Sequence, residues 1–297
     1  MTEGPEGMEQ PLAQHAEVTD TPASQQVTGT PAPQPESGIS GPSYVYAIGN
    51  VRPTFPSLDV EREFAQVTGR AEELAGLTDR EALQDVLSER ANRYLVRQLC
   101  WVFTIEGLET YILQPRDPAD FDLLVEAVRP APRATDVDVV IGMRGPIAPP
   151  EACNGLMVPI VVFDQLYSFD VEELIGALER PDGIEQDRWE TASEEVFHRI
   201  TQLADNAGAI DEHRALNYLA VRYQAIYQET AERFGDNYRL TGVDVRPSRL
   251  SGPRRIVDVI FSYTHRQTDV TEKQFVRVDV SGEFPFLVTK MSPYYQR

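Results

Sequence analysis

Two cysteines, Cys100 and Cys153, are the only thiols in 297 residues, and Asn154 and Gly155 follow the second. A thiol nucleophile needs a base within hydrogen-bond reach and a third group to orient that base. The backbone amides after Cys153 would offer an anion nest, and His198 or His213 a distant base. Nothing in the sequence draws these groups together, so a small buried thiol steadying a tight loop is the plainer expectation. Zinc takes about four ligands, usually in close-spaced pairs. Here every cysteine and histidine candidate is far from the next, and a site would have to be assembled by the fold.

The carboxylates are plentiful but unselective. Glu106 and Glu109 flank an expected hairpin turn, and Glu194 and Glu195 sit on an expected helix. Glycosidase-type chemistry needs two carboxyls at a fixed separation in a cleft, and no pair is singled out, so solvated faces are expected. Ile141-Gly-Met-Arg-Gly145 lacks the third glycine and the following helix of a phosphate-binding turn. No catalytic residue is assigned. Arginine is the more informative type. Arg246, Arg249, Arg254 and Arg255 surround the turn Ser248–Pro253, and Arg144 opens a stiff loop. Guanidinium groups grip carboxylates in a bidentate manner, so these five residues with Asn154 form the candidate surface for a peptide or partner. Internal pairing with the many acidic residues is the competing expectation.

The chain carries a formal charge of −20 with a pI near 4.6, and 41% of its residues are hydrophobic. Such a surface repels phosphate, so nucleic acid and anionic membrane are poor partners and basic peptides or protein surfaces better ones. Two cysteines are too few for a disulfide framework, and reduced, buried thiols are expected. No window approaches 18 uncharged apolar residues, and the N-terminus lacks the basic and apolar regions of a secretory signal. A cytoplasmic protein is the expectation.

Residues 1–43 hold six acidic residues, seven prolines and no lysine or arginine, the composition of a disordered acidic leader or linker. Order is expected over 44–297. Tyr44–Val51 alternates as a strand ended by Pro53 and Pro56, and Ser57 is placed to cap a helix over Leu58–Thr68. Thr78-Asp-Arg-Glu81 reads as a capping box for a helical stretch with a break near Ser88–Asn92. Trp101–Ile105 and Glu109–Leu113 form a hairpin about Glu106-Gly107, and a short helix starts at Asp117 or Ala119. Val137–Met143 and Met157–Phe163 are short and β-branched, as buried strands are. The loop between them, Arg144–Leu156, holds three prolines and two glycines, and such a stiff segment is a natural place for function. Helices are expected over Val171–Leu178, Asp187–Ala204 and Glu212–Phe234. Asn237–Val245, Ile256–Thr264, Gln274–Val280 and Phe284–Val288 then alternate as an antiparallel meander. Strands at both ends and helices between them give an α+β domain with a mixed or antiparallel sheet.

Several blocks together carry a resemblance. They are Tyr46-Ala-Ile-Gly49, Arg97-Gln-Leu-Cys-Trp101, Ile105–Pro115, Asp138-Val-Val-Ile-Gly142, Arg144–Pro150, Cys153–Pro159, Asp211–Tyr218, Arg246–Gly252 and Glu283–Val288. Over Tyr44–Arg297 the chain resembles the C-terminal domain of the cyanobactin maturation proteases of the PatA/PatG type. In that family the domain trails subtilisin-type proteases that cut and macrocyclise ribosomal precursor peptides. No Gly-Thr-Ser or His-Gly-Thr motif occurs in this sequence, so protease activity does not transfer. Because Cys100, Cys153 and His213 lie inside these blocks, they are the first candidates for a metal. No cofactor is expected, zinc being the one alternative. The resemblance implies a non-catalytic recognition or scaffold module for peptide maturation, whose partner is a precursor peptide or a subtilisin-like enzyme of the same pathway. The alternatives are a small metal- or thiol-dependent enzyme centred on Cys153, or a homo-oligomer.

Overall fold

A computed structural model describes residues 43–69, 79–202 and 205–295. The leader and Thr78 of the expected capping box lie outside the described residues. The compact unit spans Gly41–Arg297 and is α+β, as the order of sequence patterns predicts.

Five strands close into a barrel in the order β1-β2-β3-β5-β4. They are β1 (Tyr44–Thr54), β2 (Cys100–Ile105), β3 (Leu108–Pro115), β4 (Asp136–Ile147) and β5 (Pro159–Asp170). All pairings are antiparallel except β3 with β5, where Ile112 lies beside Ile160. Four helices fill the stretches between these strands: α1 (Leu58–Thr68), α2 (Asp79–Ser88), α3 (Arg93–Gln98) and α4 (Phe121–Ala127). The Ser57 hydroxyl accepts from the Val60 amide, capping α1 as its position predicts. The break after α2 is a 3-10 turn at Arg90–Asn92. The helices α5 (Val171–Ala177), α6 (Gln186–Thr201), α7 (Asp211–Arg222) and α8 (Ala225–Gly235) come next. The chain ends in the antiparallel sheet β6-β7-β8-β9 (Tyr238–Pro247, Ile256–His265, Thr271–Asp279, Phe286–Pro293).

Side chains alternate across a strand, and the barrel sorts them into three apolar groups. Val45, Ala47, Trp101, Phe103, Leu113 and Phe163 share one cluster with Leu124 of α4. Tyr46, Ile48, Val139 and Ile141 pack the opposite face of β1 and β4 against α6, α7 and the meander. Cys100, Val102, Ile112 and Ile160 form a third, smaller cluster under Ala148 and Cys153.

Several boundaries differ from expectation. β4 runs on to Ile147, so the stiff loop is 148–158 and Arg144 belongs to the strand. β1 continues through Pro53 to Thr54, with Pro53 paired to Trp101, so Pro53 does not end it. The long helix over Glu212–Phe234 is two helices, parted at Tyr223 and Gln224. Tyr223 is drawn out of the helical line, since its hydroxyl accepts from the Met291 amide of β9 at 2.9 Å.

The edge of β1 that β2 leaves open is closed from far along the chain. The Tyr46 amide donates to the Gly208 carbonyl at 2.9 Å. The Asn217 side-chain amide of α7 donates to the Tyr46 carbonyl at 2.8 Å, and Asn206 donates to Asn217 at 2.7 Å. Gly208 has a positive φ and sits so near the Tyr46 carbonyl that a Cβ would overlap it. Buried backbone polar groups need such partners.

Candidate functional site

The loop 148–158 is built from short-range closures. Pro149 and Pro150 lead into a 3-10 turn over Pro150–Ala152. Asn154 and Gly155 both take left-handed φ, 46° and 87°, which turns the chain back on itself. The Gly155 amide donates to the Pro150 carbonyl at 2.7 Å and the Leu156 amide to the Cys153 carbonyl at 2.9 Å. The amide of Gly155 is therefore spent inside the loop, and the anion nest expected there loses one of its donors.

Cys153 is bonded to Cys100 at the start of β2, with Cα atoms 5.6 Å apart. This corrects the expectation of two reduced thiols. Sequence distance hid it, since 53 positions separate the pair, and only the wrap of the loop over β2 brings them together. A disulfide sulfur is neither a nucleophile nor a thiolate ligand. In this state Cys153 has no nucleophilic thiol, and the proposed set Cys100, Cys153 and His213 has one titratable ligand left. His213 lies on α7, near Asp205 and Glu212, with its Nδ1 buried and unpartnered. Burial pulls its pKa below the usual histidine value. Among the described residues no three His, Cys, Asp or Glu side chains are grouped to hold a metal ion.

The outward side of the loop mixes apolar residues with the exposed Glu151 and Asn154. Ile147 is 61% exposed and Met157 60% exposed. Ile147 pairs with Pro159 across the β4–β5 ladder, and Met157 precedes Pro159 by two residues. On extended chain these positions share a face. Arg144, also exposed, lies three residues before Ile147. The result is a ledge of Ile147, Met157 and prolines at the end of β4, held by the disulfide and the turn.

The arginines of the Ser248–Pro253 turn are mostly engaged within the chain. Arg254 lies 3.5 Å from Asp279 and Arg255 3.1 Å from Asp211. Arg246 stacks on Tyr294, 4.9 Å from the ring centre, and hydrogen-bonds its hydroxyl. Arg249 is exposed. Arg254 and Arg255 line a cavity of about 550 Å3 together with Asp211 and Glu212, so its charge is mixed. A cavity of about 720 Å3 beside α3 and α4 contains Arg90, Arg93 and Arg97, with Arg93 paired to Asp122. The structure thus separates the candidates. Arg144 and Asn154 belong to the β4–β5 end of the barrel, and the other four arginines to the meander.

Sequence reading missed a carboxyl pair. Asp164 of β5 faces Glu283 of the β8–β9 turn, with Arg116 between them. Glu283 is pushed up to about 7, chiefly by burial and then by its hydrogen bond with Asp164 and the repulsion of that charge. The buried Arg214 holds the same turn from behind. It donates to the carbonyls of Val280 at 2.8 Å and Glu283 at 3.0 Å, and stacks on Tyr44. Only the Glu283 and Asp211–Tyr218 blocks of the resemblance hinted at these positions. This geometry locks the barrel to the C-terminal sheet.

Comparison with known proteins bears out the resemblance. Residues 184–294 match the family model described as PatG C-terminal. A solved structure described as a PatG domain of unknown function superposes with a TM-score of 0.67 at 19% identity, over 85% of this chain and 98% of that one. At this identity the likeness is one of fold. No curated protein matches the chain.

Proposed function

We propose that this chain, built on the fold of the PatG C-terminal domain, is a recognition or scaffold module for the maturation of ribosomal peptides and works without catalysis of its own. The observation that carries the reading is the ledge of Ile147 and Met157. Two large apolar side chains stand in water, one at the end of β4 and one in the loop that follows, which a disulfide and prolines fix. A rigid, exposed apolar patch loses little conformational entropy on binding and is the sort of surface that marks a protein contact. The expected partner is a precursor peptide or a subtilisin-like enzyme of the same pathway, gripped also by Arg144.

Calorimetry of the full chain against precursor peptides and maturation enzymes encoded beside it tests the reading. Ile147→Asp with Met157→Asp is expected to abolish binding with the melting temperature unchanged. Absence of binding by the unaltered chain to all of them would overturn it.

Among the described residues no helix is long and apolar enough to cross a membrane. We also place the chain in the cytoplasm, beside the enzymes it would serve. Fractionation of the producing cells tests this: recovery in the cytosolic fraction fits it, and recovery outside the cytoplasm overturns it.

A further inference from the structure

We infer that a groove between α6, α5 and the β2–β3 turn is a second binding site, and that it takes a polypeptide segment carrying a lysine or arginine next to an apolar side chain. The groove has a volume of about 380 Å3, room for one or two side chains. Ile48 of β1, Val171 of α5 and Phe197 of α6 are buried and form its floor, with the half-buried Val137 of β4 beside them. Glu106, Glu172 and Glu194 are exposed and stand around its mouth, with His198 one helical turn from Glu194.

The polar groups sort into spent and unspent. The Asn50 side chain donates to the Asp136 carbonyl at 2.8 Å, Thr135 bonds Asp170, and Thr201 bonds the Phe197 carbonyl of its own helix. The three rim carboxylates, in contrast, have no hydrogen bond or ion pair with any described residue. Their neighbour Glu195 is paired with Arg199 at 3.5 Å, so unpaired glutamate is not a general property of α6. Glu106 takes a left-handed φ of 49° in a tight turn. Among the described residues no lysine or arginine lines the groove.

This lining suits one kind of occupant. A lysine or arginine lays its aliphatic stem on apolar surface while its charged head stays at the wet rim. Anionic ligands are repelled by the three carboxylates and by a chain charge of −20. The chain's own leader is no candidate, since residues 1–43 contain six acidic and no basic residues. The occupant proposed is a segment of a second polypeptide.

The test uses the full chain and a dye-labelled hexapeptide alternating leucine with arginine, read by fluorescence anisotropy. Its counterpart with glutamate in place of arginine is the charge control. The arginine peptide is expected to bind and the glutamate peptide not. Glu172→Gln with Glu194→Gln is expected to weaken binding about five- to tenfold, the size of two partly exposed ion pairs. Glu61→Gln with Glu232→Gln removes the same charge from α1 and α8 and is expected to change it less than twofold. A benzophenone on the peptide is expected to label α6 near Phe197. Equal loss with both double variants, binding of the glutamate peptide, or labelling elsewhere, including a copy-to-copy contact, would overturn the proposal. Ile147→Asp leaves this binding intact, so the groove and the ledge stand or fall separately.

Discussion

Asp164 and Glu283 set their carboxyl groups against each other beneath one guanidinium, that of Arg116, which lies 2.8 Å from Asp164 and 3.9 Å from Glu283. One positive charge serves two acids, and the proton held by Glu283 makes up the difference. In the folded chain Glu283 titrates at about 7 against an ordinary 4.5. Between those values the unfolded chain has released a proton that the fold retains, so stability from this group falls as pH rises. It is complete below about 4.5 and gone above about 7. Glu283→Gln keeps a hydrogen-bond donor and removes the titration. The difference in melting temperature between variant and parent is expected to shift in the variant's favour across this window. A flat difference curve would refute the shared proton.

The bond between Cys100 and Cys153 closes a long loop, which restricts the unfolded chain more than a short one does. For a separation of 53 residues the chain-entropy estimate is about 4 kcal/mol. Reduction, or Cys100→Ser with Cys153→Ser, is expected to lower the denaturation midpoint by a corresponding amount. Hydrogen exchange should rise at Ala148 and Leu156 and remain slow at Tyr46. Unchanged stability would mean that the loop is held by its turn bonds alone.

Arg129 bridges two buried aspartates, 3.3 Å from each of Asp136 and Asp138. Asp138 also accepts from the Val51 amide and the Ser168 hydroxyl, both at 2.7 Å. Removing the cation leaves two buried carboxylates facing each other. Arg129→Ala is expected to cost about 3–5 kcal/mol, and Arg129→Lys, which keeps the charge and loses the fork, less. Urea denaturation measures both. A loss below about 1 kcal/mol would show that solvent reaches the pair.

Asp170 caps α5, accepting from the Glu172 amide at 2.8 Å and the Glu173 amide at 3.2 Å, and takes the Thr135 hydroxyl as well. That hydroxyl, then the two amides and Arg133, hold its carboxyl below the ordinary range despite some burial cost. Stability from the cap is thus present above that range and fades as pH falls through it. Asp170→Ala is expected to destabilise the fold by about 1 kcal/mol near neutrality, with the gap closing in acid. A gap that stays constant as the cap residue is protonated in acid would rule out the charged cap.

How much of this was legible in the sequence follows from the range of each interaction. Ser57 was readable as a cap because its partner lies three residues away. The meander strands announced themselves by alternation. The parallel pair that closes the barrel was not readable, since no local pattern tells β3 to lie beside β5. Gly145 and Pro146 read as the start of a loop, yet the ladder to β5 carries them as strand. Helical periodicity ran on through Tyr223, whose hydroxyl meets a partner 68 positions away at Met291, beyond the reach of any local pattern. The candidate site divided the same way. The stiffness of 148–158 was visible in its prolines, whereas the disulfide, the Asp164–Glu283 pair and the acidic groove depend on tertiary register.

The closure of β1 by Gly208 and Asn217 bears on the order in which the molecule can assemble. Asn217 lies 171 positions beyond the carbonyl it satisfies. β1 leaves the ribosome well before the residues that complete it, and until α7 arrives its edge is open to any other strand. Such distant closure slows folding. A nascent or truncated chain that ends before α7 holds a barrel with one seam unsewn. The segment 184–294, for its part, lacks the strand on which Asn217 and Gly208 rest, so neither half is expected to unfold in a transition of its own.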